Sequence, residues 1–285
     1  MINSLSMTAF CQEESSMVCR STPGDTTRWI GLLDEAVEQP SSLISIHAAE
    51  SLIRLQQGPR LVPYFRAQLK EEASPYQMGV WRVLAKIEDQ DTLRESATRR
   101  IRDTLLNESS AYRVHAMESL AKIRAPILPE EKETVRRVAM SDSDTGAPFA
   151  LWRLAHTKAK DDAIARLTDL LNSENEVTRA RAAYTLWHLR PLPETTIATL
   201  EARLADGTLP DQHRLMFALA AGNRSVWEPF ADSDVASARY FVAIQLAEHQ
   251  DEKACILLRQ LLKDPDLDVR STAAFALLKQ NGETP

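Results

Sequence analysis

The stretch DPDLDVRSTAAFALLKQ, residues 264–280, decides how this chain is read. Asp264 and Pro265 open it as a turn, and Ala273 then stands one helical turn before Leu277. The same pair returns along the whole chain. Leucines recur at Leu52, Leu84, Leu120, Leu154, Leu186, Leu219, Leu246 and Leu277, in steps of 32, 36, 34, 32, 33, 27 and 31 residues. Four positions before each stands Ala48, Val80, Ala116, Ala150, Ala182, Leu215, Val242 or Ala273. A small or aliphatic residue one turn from an anchor, repeated at this interval, is the signature of stacked helical hairpins. The expected fold is all-α, an α-α superhelix or solenoid of about eight hairpins.

Composition agrees with that reading. The chain has 285 residues, 44% hydrophobic and 26% charged, with only 8 Gly and 6% aromatic residues. Gly costs roughly 1 kcal/mol in a helix interior relative to Ala, so its scarcity favours helix throughout. The net charge of −6 argues against a surface adapted as a whole to nucleic acid or anionic lipid, though a local basic groove stays open. Cys11, Cys19 and Cys255 make no disulfide framework and no zinc spacing, which points to a reducing, cytoplasmic setting. Export is the alternative if the native amino terminus is longer. No membrane span, metal site or cofactor motif is read.

Residues 1–24, rich in Ser and Thr and ending in Pro23-Gly24, are expected to be a disordered leader, with the solenoid over 25–285. First helices are expected at 26–38, 61–72, 92–107, 129–142, 160–173, 193–206, 225–232 and 251–264. Second helices are expected at 42–57, 75–89, 111–125, 145–158, 176–190, 210–222, 234–249 and 267–280. Pro40, Pro59, Pro75, Pro126, Pro129, Pro191, Pro193, Pro210 and Pro265 fall at the joints or in first turns, where proline is tolerated.

The stretch at 264–280 resembles a HEAT repeat of the bacterial type related to phycobilisome-lyase repeats. Asp lies in its turn, followed by Val269-Arg270, Ala273-Ala274 and Leu277. SENEVTRARAAYTLWHL (173–189), with Arg179, and NESSAYRVHAMESLAKI (107–123), with Arg113, are similar, and Arg239 holds the same place before Leu246. The remaining repeats carry Ser45, Gln77, Ala147 and Gln212 there. The resemblance implies a structural role between repeats for Arg113, Arg179, Arg239 and Arg270.

With each anchor leucine as zero and roughly 100° per residue, positions −5, −2 and +2 fall opposite the buried side. They are expected to line a concave face built by second helices. Position +2 includes His156 and His188, −5 includes Arg181 and Arg214, and −2 includes Trp152, Tyr184, Phe217 and Phe275. The aromatic row is either a binding surface or, with a register shift of one residue, part of the core. Glu118 with Lys122 reads as a solvated helix-face pair.

The favoured reading is a non-catalytic scaffold or adaptor that binds a protein partner through Trp152, Tyr184, Phe217, Phe275, His156, His188, Arg181 and Arg214. Similarity of the residue types to HEAT-like alkylpurine DNA glycosylases makes a nucleic-acid groove the alternative, and a bilin lyase activity follows only from the repeat family. Two HxxE strings, at His47 and His115, are two repeats apart. At helix spacings of roughly 8–10 Å they sit about 20 Å from each other, too far for one metal ion.

Overall fold

Helix starts are written locally in side chains that accept orphan amide hydrogens. Thr22 forms a capping box with Asp25, Asn175 accepts from the Thr178 amide, Asp251 from Ala254, and Asp266 from Asp268 and Val269. Gly222, at φ +72°, closes another helix in the left-handed conformation that suits glycine there. A computed structural model describes residues 21–70, 72–87 and 89–282. Residues 1–20 of the expected leader, with Cys11 and Cys19, lie outside them. Pro23 and Gly24 form the first turn of a helix, with Pro23 in the position whose missing N–H costs nothing.

The described residues are all-α, with sixteen α-helices and no strand. In chain order these are α1 (Pro23–Val37), α2 (Leu43–Arg54), α3 (Val62–Ala67), α4 (Pro75–Ile87), α5 (Asp91–Leu106), α6 (Arg113–Lys122), α7 (Lys132–Ala139) and α8 (Ala147–Ala155). They continue as α9 (Lys160–Leu170), α10 (Glu176–His188), α11 (Glu194–Ala205), α12 (Asp211–Ala221), α13 (Arg224–Trp227), α14 (Ala236–Leu246), α15 (Glu252–Leu261) and α16 (Leu267–Gln280). Each lies within or close to an expected helix, and the even-numbered ones are the expected second helices. Short 3₁₀ turns precede α3 and α7 and follow α13.

The chain divides into two units, residues 62–228 and residues 1–61 with 229–285. Inside the first, α3, α5, α7, α9 and α11 each pack on the even helix that follows, the short α13 packs back on α12, and α4, α6, α8, α10 and α12 lie side by side. Seven of the eight anchor leucines are buried, Leu154 being half-buried. Trp81 and Trp227 are also closed off, at 1% and 0% exposure.

In the second unit the order of the chain and the order of packing part company. Helix α16 packs on α14 and α15, and also on α1 and α2, more than two hundred residues away in sequence. Its residues from Ser271 to Leu278 are all buried. A helix buried on every side is an interior element. The contact is specified by side chains. His47 Nδ1 lies 2.7 Å from Asp268 Oδ2 and its ring stacks on Tyr240 at 4.7 Å, while the Arg54 guanidinium covers Phe275 at 5.8 Å.

The four arginines of the repeat pattern are hydrogen-bonded. Arg179, Arg239 and Arg270 each donate to a carbonyl six residues earlier, on Ser173, Ser233 and Asp264 respectively, and Arg113 donates to Leu105 O. These carbonyls belong to the same hairpin, because the arginine sits in the first turns of the second helix and curls back onto the preceding joint. For Arg113 and Arg179 these bonds stay within the hairpin. Arg239 does cross, forming a two-pronged pair with Asp264 at 2.6 and 2.9 Å, and Arg270 comes within 4.0 Å of Glu35. Burial alone would raise the Asp264 carboxyl, but the Arg239 hydrogen bonds, the Asp266 amide and the two guanidinium charges hold it below its usual range.

Candidate functional site

The candidate face lies on α4, α6, α8 and α10 of unit 62–228. Its wall is a ring cluster. Trp152 of α8 stacks on His188 of α10 at 4.7 Å, and Tyr184 meets Phe149, Trp152 and His188 edge-on at 6.3, 6.1 and 4.7 Å. Edge and offset contacts of this kind fit the ring quadrupoles and fix the orientation of each side chain. His188 is exposed and Tyr184 is half-buried, so the cluster presents an imidazole and a phenol to solvent above an indole floor.

Beside the rings lies a polar centre on α6. Glu118 Oε1 accepts from Lys122 Nζ at 2.9 Å and from the Tyr184 hydroxyl at 3.3 Å. The tyrosine thus reaches from α10 past α8 to α6. Arg82 of α4 donates to Ser119 Oγ, and Arg181 of α10 lies over the Phe149 ring at 5.5 Å while donating to Thr145 O. Burial by itself would raise the Glu118 carboxyl; the charges of Lys122 and Arg82, the Lys122 hydrogen bond and the charge of His115 outweigh it and lower the carboxyl to about 2. A carboxylate so firmly ionised is a poor proton carrier near neutrality, and its chemistry here is that of a fixed anion.

That shift has a measurable sign. The folded value lies below the ordinary 4.5, so its contribution to stability is complete above about pH 4.5 and is lost as pH falls toward 2. Glu118→Gln is expected to cost about 2–3 kcal/mol near pH 7, with the gap from wild type closing steadily below about pH 4.5. Urea unfolding at several pH values reads this, and a gap independent of pH would refute it.

The residues singled out in the sequence divide sharply. Tyr184, His188, Trp152 and Arg181 come together. His156 and Arg214 are exposed, at the end of α8 and on α12. Trp152, Phe217 and Phe275 are core residues, at 4%, 0% and 1% exposure, which corrects their placement on an open surface. The reason is angular. Positions +2 and −5 differ by seven residues and share one row, whereas −2 lies some 40–60° to the side, toward the neighbouring second helix. Consequently the +2 residue of the next repeat roofs the −2 ring, as His188 covers Trp152. Although His156 as a whole is exposed, desolvation of the covered part of its ring foremost, with the charges of Arg124 and Lys160, lowers the imidazole, against a hydrogen bond with the Ala121 backbone that raises it.

Glu118 and Lys122 are not a solvated pair. Their side chains are 18% and 20% exposed, and Tyr184 ties them to α10. Their ladder positions, −2 and +2, were the available signal, as was −5 for Phe149; the tie across two repeats had none. A separate cleft of about 740 Å³ lies between α5 and residues 123–130. It carries Arg94, Arg99, Arg102 and Arg124 against Glu95, Asp103 and Glu130, a nearly balanced lining.

Among the described residues no helix is long and apolar enough to cross a membrane. Compared with known proteins, the chain matches no family model and no curated protein.

Proposed function

We propose that this chain is a non-catalytic scaffold of eight HEAT-like hairpins that holds a protein partner on the second-helix face of α6, α8 and α10, in a cytoplasmic setting. The observation that carries this reading is the half-exposed ring cluster of Tyr184 and His188 on Trp152, bordered by Arg181 and by the Glu118–Lys122 pair. Rigid aromatic groups beside polar ones, on a packed helical floor, are what concentrates binding energy at protein interfaces. The floor is already ordered, so little conformational entropy is lost on docking.

Affinity capture from the native source tests it, comparing wild type with a Tyr184→Ala/His188→Ala variant, with and without nuclease, followed by reconstitution with the purified captured protein. Wild type should recover one defined protein regardless of nuclease, and the variant should bind that purified protein about tenfold or more weakly. Recovery of nuclease-sensitive nucleic acid, or equal binding by both chains, would overturn the reading. The nucleic-acid alternative would then take its place, with affinity falling steeply as salt is raised.

A further inference from the structure

The cleft between α5 and residues 123–130 has a volume of about 740 Å³, within the range of small-molecule sites. It shares no residue with the ring-lined face, so its chemistry is independent of the scaffold reading. Arg102 of α5 lines it with a side chain only 11% exposed. The guanidinium donates to Glu131 and, at 3.0 Å, to Pro126 O, which engages two of its five N–H donors. Glu131 also accepts from Arg153, so one buried carboxylate answers two guanidinium groups.

Three more charged residues gather around Arg102. Arg124 lies on the opposite wall, two residues before Pro126, and two residues of chain span at most about 7 Å. An extended arginine side chain covers that distance, so Arg102 and Arg124 reach one anion together. Asp103 is the residue after Arg102 and Glu130 the one before Glu131, and both line the cleft. Among the described residues Arg124, Asp103 and Glu130 form no ion pair, although the charge of Arg124 bears on His156. The other charges of the lining, Arg94, Glu95 and Arg99, lie earlier on α5, with Arg94 paired to Asp91.

Arg124 holds its place in a conformation that does not favour it. The Ala125 amide donates to Leu120 O and the Arg124 amide to Ala121 O, both at 3.0 Å, which ends α6 in a left-handed turn with Arg124 at φ +52°. Glycine is the usual residue there, because a Cβ crowds the following carbonyl in that conformation. Gln56 adopts it too, four residues after Leu52, so the turn comes with the repeat. The choice of arginine does not, and Arg124 lines the cleft.

We infer that the cleft binds a small zwitterion of the α-amino-acid type, free or as a short peptide. Its carboxylate lies between Arg102 and Arg124, its ammonium against Asp103 and Glu130, and an apolar side chain on Leu106, Ile123 and Leu128. The carboxylate is a second counter-ion for two guanidinium groups that share Glu131, and a forked guanidinium suits it geometrically. A lone anion leaves Asp103 and Glu130 unanswered, and a run of phosphates is repelled by them. A metal ion is opposed by both arginines, and the described residues hold no group of three metal-ligating side chains.

The test uses the full chain with leucine, dileucine, N-acetyl-leucine and leucinamide, read by titration calorimetry and by the unfolding midpoint. Leucine or dileucine should bind and raise the midpoint, and the tighter of the two tells whether the source is a free amino acid or a peptide. Removing either charge, as in N-acetyl-leucine and leucinamide, should weaken binding about tenfold or more. Arg124→Gln should weaken the zwitterion by a similar factor. Arg124→Gly should weaken it as much while raising the ligand-free midpoint by about 1–3 °C, because glycine suits the left-handed turn. Loss of binding with a gain in stability is not what truncating a merely structural residue produces.

No binding of leucine or dileucine at about 10 mM would overturn the site. So would equal binding of either blocked analogue, which would mean that the ligand needs only one charge or none. Binding indifferent to both Arg124 variants would remove the arginine from the site and the inference with it. Inorganic phosphate that displaces leucine and binds more tightly would overturn the zwitterion in favour of a simple anion.

Discussion

Glu131→Gln should lower stability by about 3–5 kcal/mol, near the upper end of what single substitutions do, with a fall in Tm of about 10 °C. Glu131 is fully buried just before α7 and is the common acceptor for two guanidinium groups. Arg102 Nη1 and Arg153 Nη2 both donate to its Oε2, as does the Leu128 amide at 2.8 Å. The Arg153 side chain has no exposure at all. Burial pushes its guanidinium below the usual range, the Glu131 hydrogen bond and charge resist this, and Arg102 adds to it. Removing the carboxylate leaves two positive charges facing each other in a poorly solvated site. Replacing all three residues together by apolar side chains of similar volume should recover most of the loss, because the desolvation cost disappears with the charges. Urea unfolding of the single and triple variants measures both effects. A single variant within about 1 kcal/mol of wild type would show that water reaches the cluster on unpairing.

Phe275→Ala should cost about 3–5 kcal/mol, and Phe217→Ala a similar amount, whereas Tyr184→Ala should cost about 1–2 kcal/mol. All three share the −2 ladder position, so residue type and register do not separate them. Their surroundings do. Phe275 is sealed within α16 against α1 and α2, with Arg54 above it, and Phe217 has no exposure. Truncating either leaves a cavity whose lining is held by packed helices. Tyr184 is half-buried and loses edge contacts and one long hydrogen bond at 3.3 Å. Thermal or urea melts of the three variants give the order directly, and a Tyr184 variant as damaged as Phe275 would contradict the division of the ladder into floor and face.

The leucine interval and the proline positions made the helices legible, because both act within about 35 residues of sequence. Much of the +2 row is open, with Arg54, Lys86, His156, His188, Glu248 and Lys279 exposed, whereas Lys122 lies under the Tyr184 ring. What stayed hidden depends on distance in the chain. Whether Phe275 meets solvent is decided by Arg54, and whether Glu118 is a surface charge is decided by Tyr184, 66 positions further on. Angular periodicity is blind to such partners, since a wheel drawn on one helix assigns the same angle to Phe217 and Tyr184. The Glu131 cluster was missed for a related reason: its members come from a first helix, a joint and a second helix, and share no repeat position.

The pairing of α1 and α2 with α16 also bears on how the protein is made. As the nascent chain leaves the ribosome, the first hairpin is completed early, yet the helix that covers it emerges more than two hundred residues later. At about 5–20 residues per second that is a delay on the order of 10–50 s. During that interval part of the apolar face of α1, which carries Trp29, Leu33 and Val37, lacks its permanent cover. The unit is consequently one that closes late and all at once, a high-contact-order step in a fold otherwise assembled from local pieces. Chains released before residue 280 leave that early hairpin open, and such prematurely terminated products are natural substrates for chaperones and proteases.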